Sequence, residues 1–419
     1  MTLRNALLVT AFFIAPGLFT SCIAAAAVAA DGNITALRSA LIPKHEVAAD
    51  SFLKAHPTWD GRGVVIGIFD TGVDPAAAGL AVTSTGERKI VDIIDASGSG
   101  DVDTSTKQKP DASGNLLALS GRRLTLPPWI NNPSGEYRLG LKAASELFYG
   151  EVLKRLTDER AAARSAAASL RTAARDRSDA AGQLKAARAK APDERSRSDR
   201  DQIARDGALT ALEDSKDAEA TLLYDCVMWH DGTGWRVVVD TNEDGDLANE
   251  MILRPFGIAG EFGSFGNIAH ANFGVQVYEG GDLLSIVTVS GSHGTHVASI
   301  AAANLPDEPA RSGIAPGARI LSIKIGDIRA GGSSYGTSEL RATAIAAQHR
   351  VDIVNASWGG RSTLQDGKNR NSRVYDMMVE RFDILAVISA GNNGPAFGTA
   401  GGAGAEASRV LGVGAYMSR

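Results

Sequence analysis

The sequence predicts an α/β fold in which helices cover both faces of a doubly wound parallel sheet, with a long helical insertion. Three observations carry this expectation. Short apolar runs rich in β-branched residues recur at Gly63 to Phe69, Ala318 to Ile325, Asp352 to Asn355, Ile384 to Ser389 and Val410 to Ala415. They are continuous rather than alternating, which is the pattern of strands buried on both faces. Helical stretches fall between them, at Glu339 to Arg350 and Arg373 to Phe382, and the small residues of Val297 to Ala303 suit a helix packed closely on a sheet. Third, residues 141–220 shift to Ala, Arg, Lys, Asp and Glu with few large apolar positions, a composition that forms helix but little core.

In chain order, Arg4 precedes an apolar run from Ala6 to Phe19 and small residues through Ala30. This reads as a secretion signal over residues 1–30, cleaved after Ala29 or Ala30, and the run is too short to span a membrane comfortably. Phe19-Thr20-Ser21-Cys22 loosely resembles a lipobox, so lipidation at Cys22 is the alternative, and a membrane contact is expected only in that case. The run Gly63 to Phe69 then delivers Asp70 to the C-terminal end of a buried strand, the edge at which open α/β sheets bind ligands. Residues 41–419 form one catalytic-type domain, interrupted by the insertion at 141–220, with a turn expected at Ala191-Pro192-Asp193. Such an arm suits oligomerisation or gating, or is simply a solvated insertion.

Asp240-Thr241-Asn242-Glu243-Asp244-Gly245-Asp246 places oxygen ligands at the first, third, fifth and seventh positions and glycine at the sixth, the spacing with which an EF-hand loop wraps calcium. The closing acid is displaced, since Glu250 is the eleventh residue and Met251 the twelfth. An acidic turn between strands Trp235 to Val239 and Met251 to Leu253 is the simpler expectation, with Asp240, Asn242, Asp244 and Asp246 a weak calcium candidate. No other metal site or cofactor is expected. His293 and His296 lack a His-Glu-x-x-His motif, and His296 is expected to pack behind His293.

Asp70, His293 and Asn392 are the residue types that acyl transfer needs. A serine hydroxyl is a poor nucleophile at neutral pH, so a histidine takes its proton and a carboxylate holds the imidazole in one tautomer. An asparagine amide can donate to the oxyanion. Asp70-Thr71-Gly72-Val73-Asp74, Gly291-Ser292-His293-Gly294-Thr295-His296-Val297-Ala298 and Ser389-Ala390-Gly391-Asn392-Asn393-Gly394-Pro395 resemble the aspartate, histidine and asparagine blocks of the subtilisin-like serine peptidases, in that family's order. The resemblance implies Asp70 and His293 as catalytic and Asn392 in the oxyanion hole. It implies Ser357, Trp358 and Gly359 as the substrate-binding edge.

The family's serine block follows the asparagine in a Gly-Thr-Ser turn, and no such block lies between Asn392 and Arg419. The nucleophile and the last sheet elements are therefore expected beyond Arg419. Gly336-Thr337-Ser338-Glu339-Leu340 imitates that turn but precedes Asn392, and Thr337 or Ser338 reads more simply as a helix N-cap.

Further segments resemble the N-terminal part of the tripeptidyl peptidase II branch. These are Asp60-Gly61-Arg62-Gly63, Ile90 to Asp95, Tyr224 to Gly232, Asp240 to Leu247 and Gly263-Ser264-Phe265-Gly266. That branch selects a free substrate N-terminus with two glutamates, whose places here fall near Ser334 and at Gly360. Neither is acidic, so endopeptidase action is the favoured expectation, because a desolvated α-amino group needs a carboxylate. A peptide or protein substrate is implied.

The 419 residues are 44% hydrophobic, enough for a sizeable core, and the net charge of −5 gives no reason to expect a nucleic-acid partner. Of two cysteines, only Cys226 lies in the folded domain, so no disulfide is expected there.

Overall fold

The structure, a computed structural model, describes residues 42, 44–175, 178–191, 194–196, 198–200, 203, 222–360, 365–394, 396, 399 and 404–415. The leader at 1–30, Cys22 and Pro192 lie outside the described residues. Among those described, no helix is long and apolar enough to cross a membrane.

The central sheet has six strands: β1 (Val65–Asp70), β2 (Ile90–Asp95), β3 (Arg319–Lys324), β4 (Ile353–Ala356), β5 (Leu385–Ser389) and β6 (Leu411–Val413). They run in the order β6-β5-β4-β1-β3-β2 and every neighbouring pair is parallel. Each of the five apolar runs read as parallel strands became one, β2 adds a sixth, and the sheet is doubly wound as expected. All six β1 residues are buried, as a central strand covered on both faces requires.

Period-two alternation in β1 sends Ile66 and Ile68 to one face and Val65 and Phe69 to the other. The first pair packs with Ala298 and Ala302 of helix α3 (His293–Ala302). The second packs with Ala342 and Ala346 of α4 (Gly336–Gln348) and with Tyr375 and Met378 of α5 (Arg370–Phe382). Asp70 continues the Ile66–Ile68 face, so the strand's pleat delivers its carboxylate to the foot of α3. Helix α4 begins two residues after Ser334, with Tyr335 at its N-cap and no side-chain cap, so neither Thr337 nor Ser338 is the N-cap.

Between Asp70 and His293 the chain builds a second unit of antiparallel sheet. Thr106–Gln108, Tyr137–Ala143, Leu223–His230 and Trp235–Val239 form four strands, with a core of Leu116, Leu124, Leu139, Val227 and Trp229 on one face. A core of Phe148, Tyr224, Met228, Phe265 and Phe273 lies on the other. The helical part starts later than its composition suggested. Leu141, Lys142 and Ala143 still belong to a strand, paired with Asp225, Tyr224 and Leu223, because the alternating burial of Tyr137–Ala143 fits a sheet face. Helix α1 (Gly150–Arg175) and α2 (Ser178–Ala189) follow and touch one another. Met251 to Leu253 is not a strand: only Leu253 makes an isolated bridge, to Val237.

One buried charge pair braces the central sheet. The side chains of Lys324 at the end of β3 and Asp95 at the end of β2 are both fully enclosed, with Nζ 3.1 Å from Oδ2. Lys324 also donates to the Ser99 hydroxyl at 2.7 Å, and the Asp95 carboxylate accepts from the backbone of Ser97, Gly98 and Gly100. Burial opposes ionisation of Asp95, but the Lys324 ammonium and these hydrogen bonds outweigh it and hold the carboxyl below its ordinary value.

Candidate active site

Asp70 is fully buried at the end of β1, and His293 opens α3 with its imidazole half-exposed. The His293 Nδ1 stands 2.8 and 2.9 Å from the two Asp70 oxygens. The carboxylate also accepts from the Thr71 backbone N–H at 2.7 Å, which fixes its plane. A carboxylate is an acceptor only, so Nδ1 carries the proton of this contact and Nε2, on the opposite edge of the ring, is left as the basic nitrogen.

Two local features make the approach of α3 to β1 close enough. A Cβ on Gly294 would meet the Gly72 carbonyl oxygen at 2.4 Å and the Asp70 Cβ at 3.1 Å, so only glycine fits beside His293. Gly72 itself turns the chain at φ +93°, out of the strand. Thr71 then clamps the two blocks: its hydroxyl donates to the Gly291 carbonyl at 2.9 Å and accepts from the Gly294 N–H at 2.9 Å. The sequence reading missed this threonine, although its place between Asp70 and Gly72 was the available signal. Thr71→Val keeps the shape and leaves both backbone groups unpaired. It is expected to lower stability by about 1–3 kcal/mol in urea unfolding; a change under about 0.5 kcal/mol would remove the clamp from the account.

His293 borders a depression of about 470 Å³ lined by Ser333, Ser334, Ser357, Trp358, Gly359 and Gly360. The predicted substrate edge is thus brought to the histidine. Ser334 and Gly360, the two positions where acidic residues were looked for, face the same space. The nearby Glu339 is buried beneath it and accepts from the Ser334 hydroxyl at 2.8 Å. Asn392 lies in the exposed turn after β5, on the sheet edge that also carries Asp70, and is not among the residues lining the depression. His296 is exposed rather than packed behind His293, because three residues along the helix it stays on the solvent side. A larger cavity, about 580 Å³, lies in the antiparallel unit and contains no histidine.

The acidic loop is remote from the pair. Asp240 is fully buried at the end of strand Trp235–Val239, and burial pushes its carboxyl up to about 6. Asn242, Asp244 and Asp246 are exposed.

The sequence model of the subtilase family matches residues 61–419. Among curated proteins, tripeptidyl-peptidase 2 of Oryza sativa subsp. japonica is 41% identical over 385 residues, covering 90% of this chain and 28% of that protein. Tripeptidyl-peptidase 2 of Arabidopsis thaliana is 38% identical over 407 residues, covering 92% of this chain and 28% of its own length. A crystal structure of tripeptidyl peptidase 2 superposes with a TM-score of 0.65 at 27% identity, over 88% of this chain and 29% of that one. The chain therefore spans somewhat over a quarter of the relatives it matches.

Proposed function

Since the chain belongs to the subtilase family, a family of serine peptidases, we propose that Asp70 and His293 are two members of an Asp/His/Ser triad that hydrolyses peptide bonds. The observation that carries this reading is the paired contact of Nδ1 with both Asp70 oxygens beside a depression walled by Ser357 to Gly360.

The residues divide the work as follows. Asp70 holds the imidazole with Nδ1 protonated and stabilises the imidazolium that forms. His293 takes the nucleophile's proton on Nε2 and returns it to the leaving amine. The backbone of Ser357 to Gly359 offers an edge for an extended substrate, and Asn392, in the turn after β5, is the candidate donor to the oxyanion. The nucleophilic serine is supplied by sequence outside these 419 residues. Endopeptidase action is the reading the depression supports, because Ser334 and Gly360 bring no carboxylate to a free substrate N-terminus.

A longer product that includes a serine block is expected to react covalently with a fluorophosphonate probe, and the 419-residue chain alone to stay unlabelled. Labelling that survives His293→Ala in the longer product would sink the assignment. A longer product that binds peptides without labelling would leave a peptide-binding scaffold in its place.

A further inference from the structure

We infer that the loop Asp240–Asp246 is a calcium site, with the carboxylates of Asp240 and Asp244 and the side-chain oxygen of Asn242 as ligands. Asp240 is fully buried, and its Oδ1 is sealed from solvent without a hydrogen-bond partner among the described residues. The other oxygen, Oδ2, accepts from the Gly245 N–H at 3.2 Å, which turns the carboxylate into the loop rather than toward the core. A buried carboxylate oxygen with nothing to bond is costly, and a cation held by the loop removes that cost.

No described side chain performs this task. The cation whose charge acts on Asp240 is Arg122, whose Nη1 goes to Asp225 at 2.8 Å and whose Nη2 goes to Glu243 at 2.6 Å. Both of its terminal nitrogens also face the Leu223 carbonyl at 3.0 Å. The guanidinium is spent on those groups and leaves Asp240 Oδ1 open.

The rest of the loop is already curled as a ligand cradle. Asn242 Oδ1 accepts from the Asp244 N–H at 3.0 Å, and Asp244 Oδ1 accepts from the Asp246 N–H at 2.8 Å. Gly245 takes φ +77°, the turn that an EF-hand-type loop makes at its sixth position. Each of these oxygens keeps a second lone pair for a metal. Asp244 Oδ2 is bridged by the amides of Asn242 and Asn249, at 3.1 and 2.8 Å, and the loop's outer side is exposed. The neighbouring cavity of about 580 Å³, lined in part by Asn242 and Asn249, gives an ion a way in.

The loop also departs from a full cage. Among the described residues no three acid, histidine or cysteine side chains are gathered as a ready-made cluster. The third position is an amide, and both oxygens of Glu250 are taken by Thr241, at 2.8 to 2.9 Å, instead of closing the loop. With only two carboxylates and no bidentate closing ligand, affinity falls in the range of about 10⁻⁵ to 10⁻³ M, water completing the shell. The all-oxygen, flexible set favours calcium over magnesium, which demands a tighter octahedron.

The loop is tied to its surroundings at both ends: Thr125 donates to the Gly245 carbonyl at 2.7 Å, Leu247 donates back to Thr125 at 3.1 Å, and Asp240 donates to the Asp225 carbonyl at 2.9 Å. A bound ion therefore fastens the short hairpin of Asn115–Leu117 and Arg123–Thr125 to the antiparallel sheet.

The test is titration calorimetry of the purified 419-residue chain, stripped with chelator, against calcium chloride and then magnesium chloride. One calcium per chain with Kd between about 10⁻⁵ and 10⁻³ M, magnesium at least about tenfold weaker, and a melting temperature raised by roughly 3–6 °C at 10 mM calcium are the expected results. Asp244→Asn, which removes the charge but keeps the shape of a proposed ligand, is expected to weaken calcium binding at least tenfold. Asp240→Asn is expected to abolish binding. No stoichiometric heat up to 10 mM calcium, or binding that Asp244→Asn leaves unchanged, overturns the assignment.

Discussion

On the proposed triad, Asp70→Asn introduced into a longer product that includes a serine block is expected to lower kcat by about 10⁴-fold with KM nearly unchanged, the size of loss known for the corresponding aspartate in serine peptidases. The structure supplies the reason. Asp70 Oδ1 and Oδ2 both face His293 Nδ1, and neither can be replaced by an amide nitrogen without putting a donor against a donor. The imidazole then rotates its proton to Nε2 to keep a hydrogen bond, and the atom that must accept the nucleophile's proton is no longer basic. Burial of Asp70 leaves no water to take over the contact. Steady-state kinetics on a peptide substrate would decide this; a loss below about tenfold would mean that His293 is held by something else. The melting temperature should move little, because the substitution is isosteric.

The second large effect concerns stability. Asp95→Ala removes the only carboxylate bonded to Lys324 among the described residues and leaves an ammonium enclosed between β2 and β3 with the Ser99 hydroxyl as its remaining described partner. Breaking a buried pair from one side costs about 3–5 kcal/mol, so the melting temperature should fall by roughly 10 °C. The double variant Asp95→Ala/Lys324→Met removes both charges and should recover most of the loss; a double variant as unstable as the single one would refute the buried-ammonium explanation. The pH dependence has a definite sign. Asp95 titrates lower in the folded than in the unfolded chain, so its contribution is fully present above its unfolded value, near about 4, and is lost as pH falls through the folded value. In Asp95→Ala the acid-side decline of stability should therefore flatten.

What could be read from the sequence was what repeats locally. Continuous apolar runs marked five of the six parallel strands, β2 at Ile90–Asp95 being the one not read, and the glycine-flanked Asp70 and His293 blocks marked the two groups that the fold brings into contact. Features that depend on partners distant in sequence were hidden. Leu141 to Ala143 looked like the start of a helical segment because their composition says nothing of Leu223 to Asp225, with which they pair. Met251 to Leu253 looked like a strand, yet only Leu253 finds a bridging partner. Thr71 was passed over because its two hydrogen bonds reach across to Gly291 and Gly294. His296 was misplaced because a three-residue spacing does not say which side of a helix faces solvent.

The antiparallel unit that separates Asp70 from His293 begins and ends at one place. Strand Asp101–Asp103, just after β2, pairs antiparallel with Leu283–Val287, just before α3, with Val102 opposite Leu284. This has a bearing on the order of folding. Joining two groups 223 residues apart through a disordered chain carries the full loop-closure entropy and slows the search. Once the unit has formed on its own two cores, its ends are already side by side, and the span that must close shrinks to the chain from Asp70 to Asp101 and the short stretch from Val287 to His293. The pairing of Asp101–Asp103 with Leu283–Val287 thus shortens the loop that the aspartate–histidine contact must close.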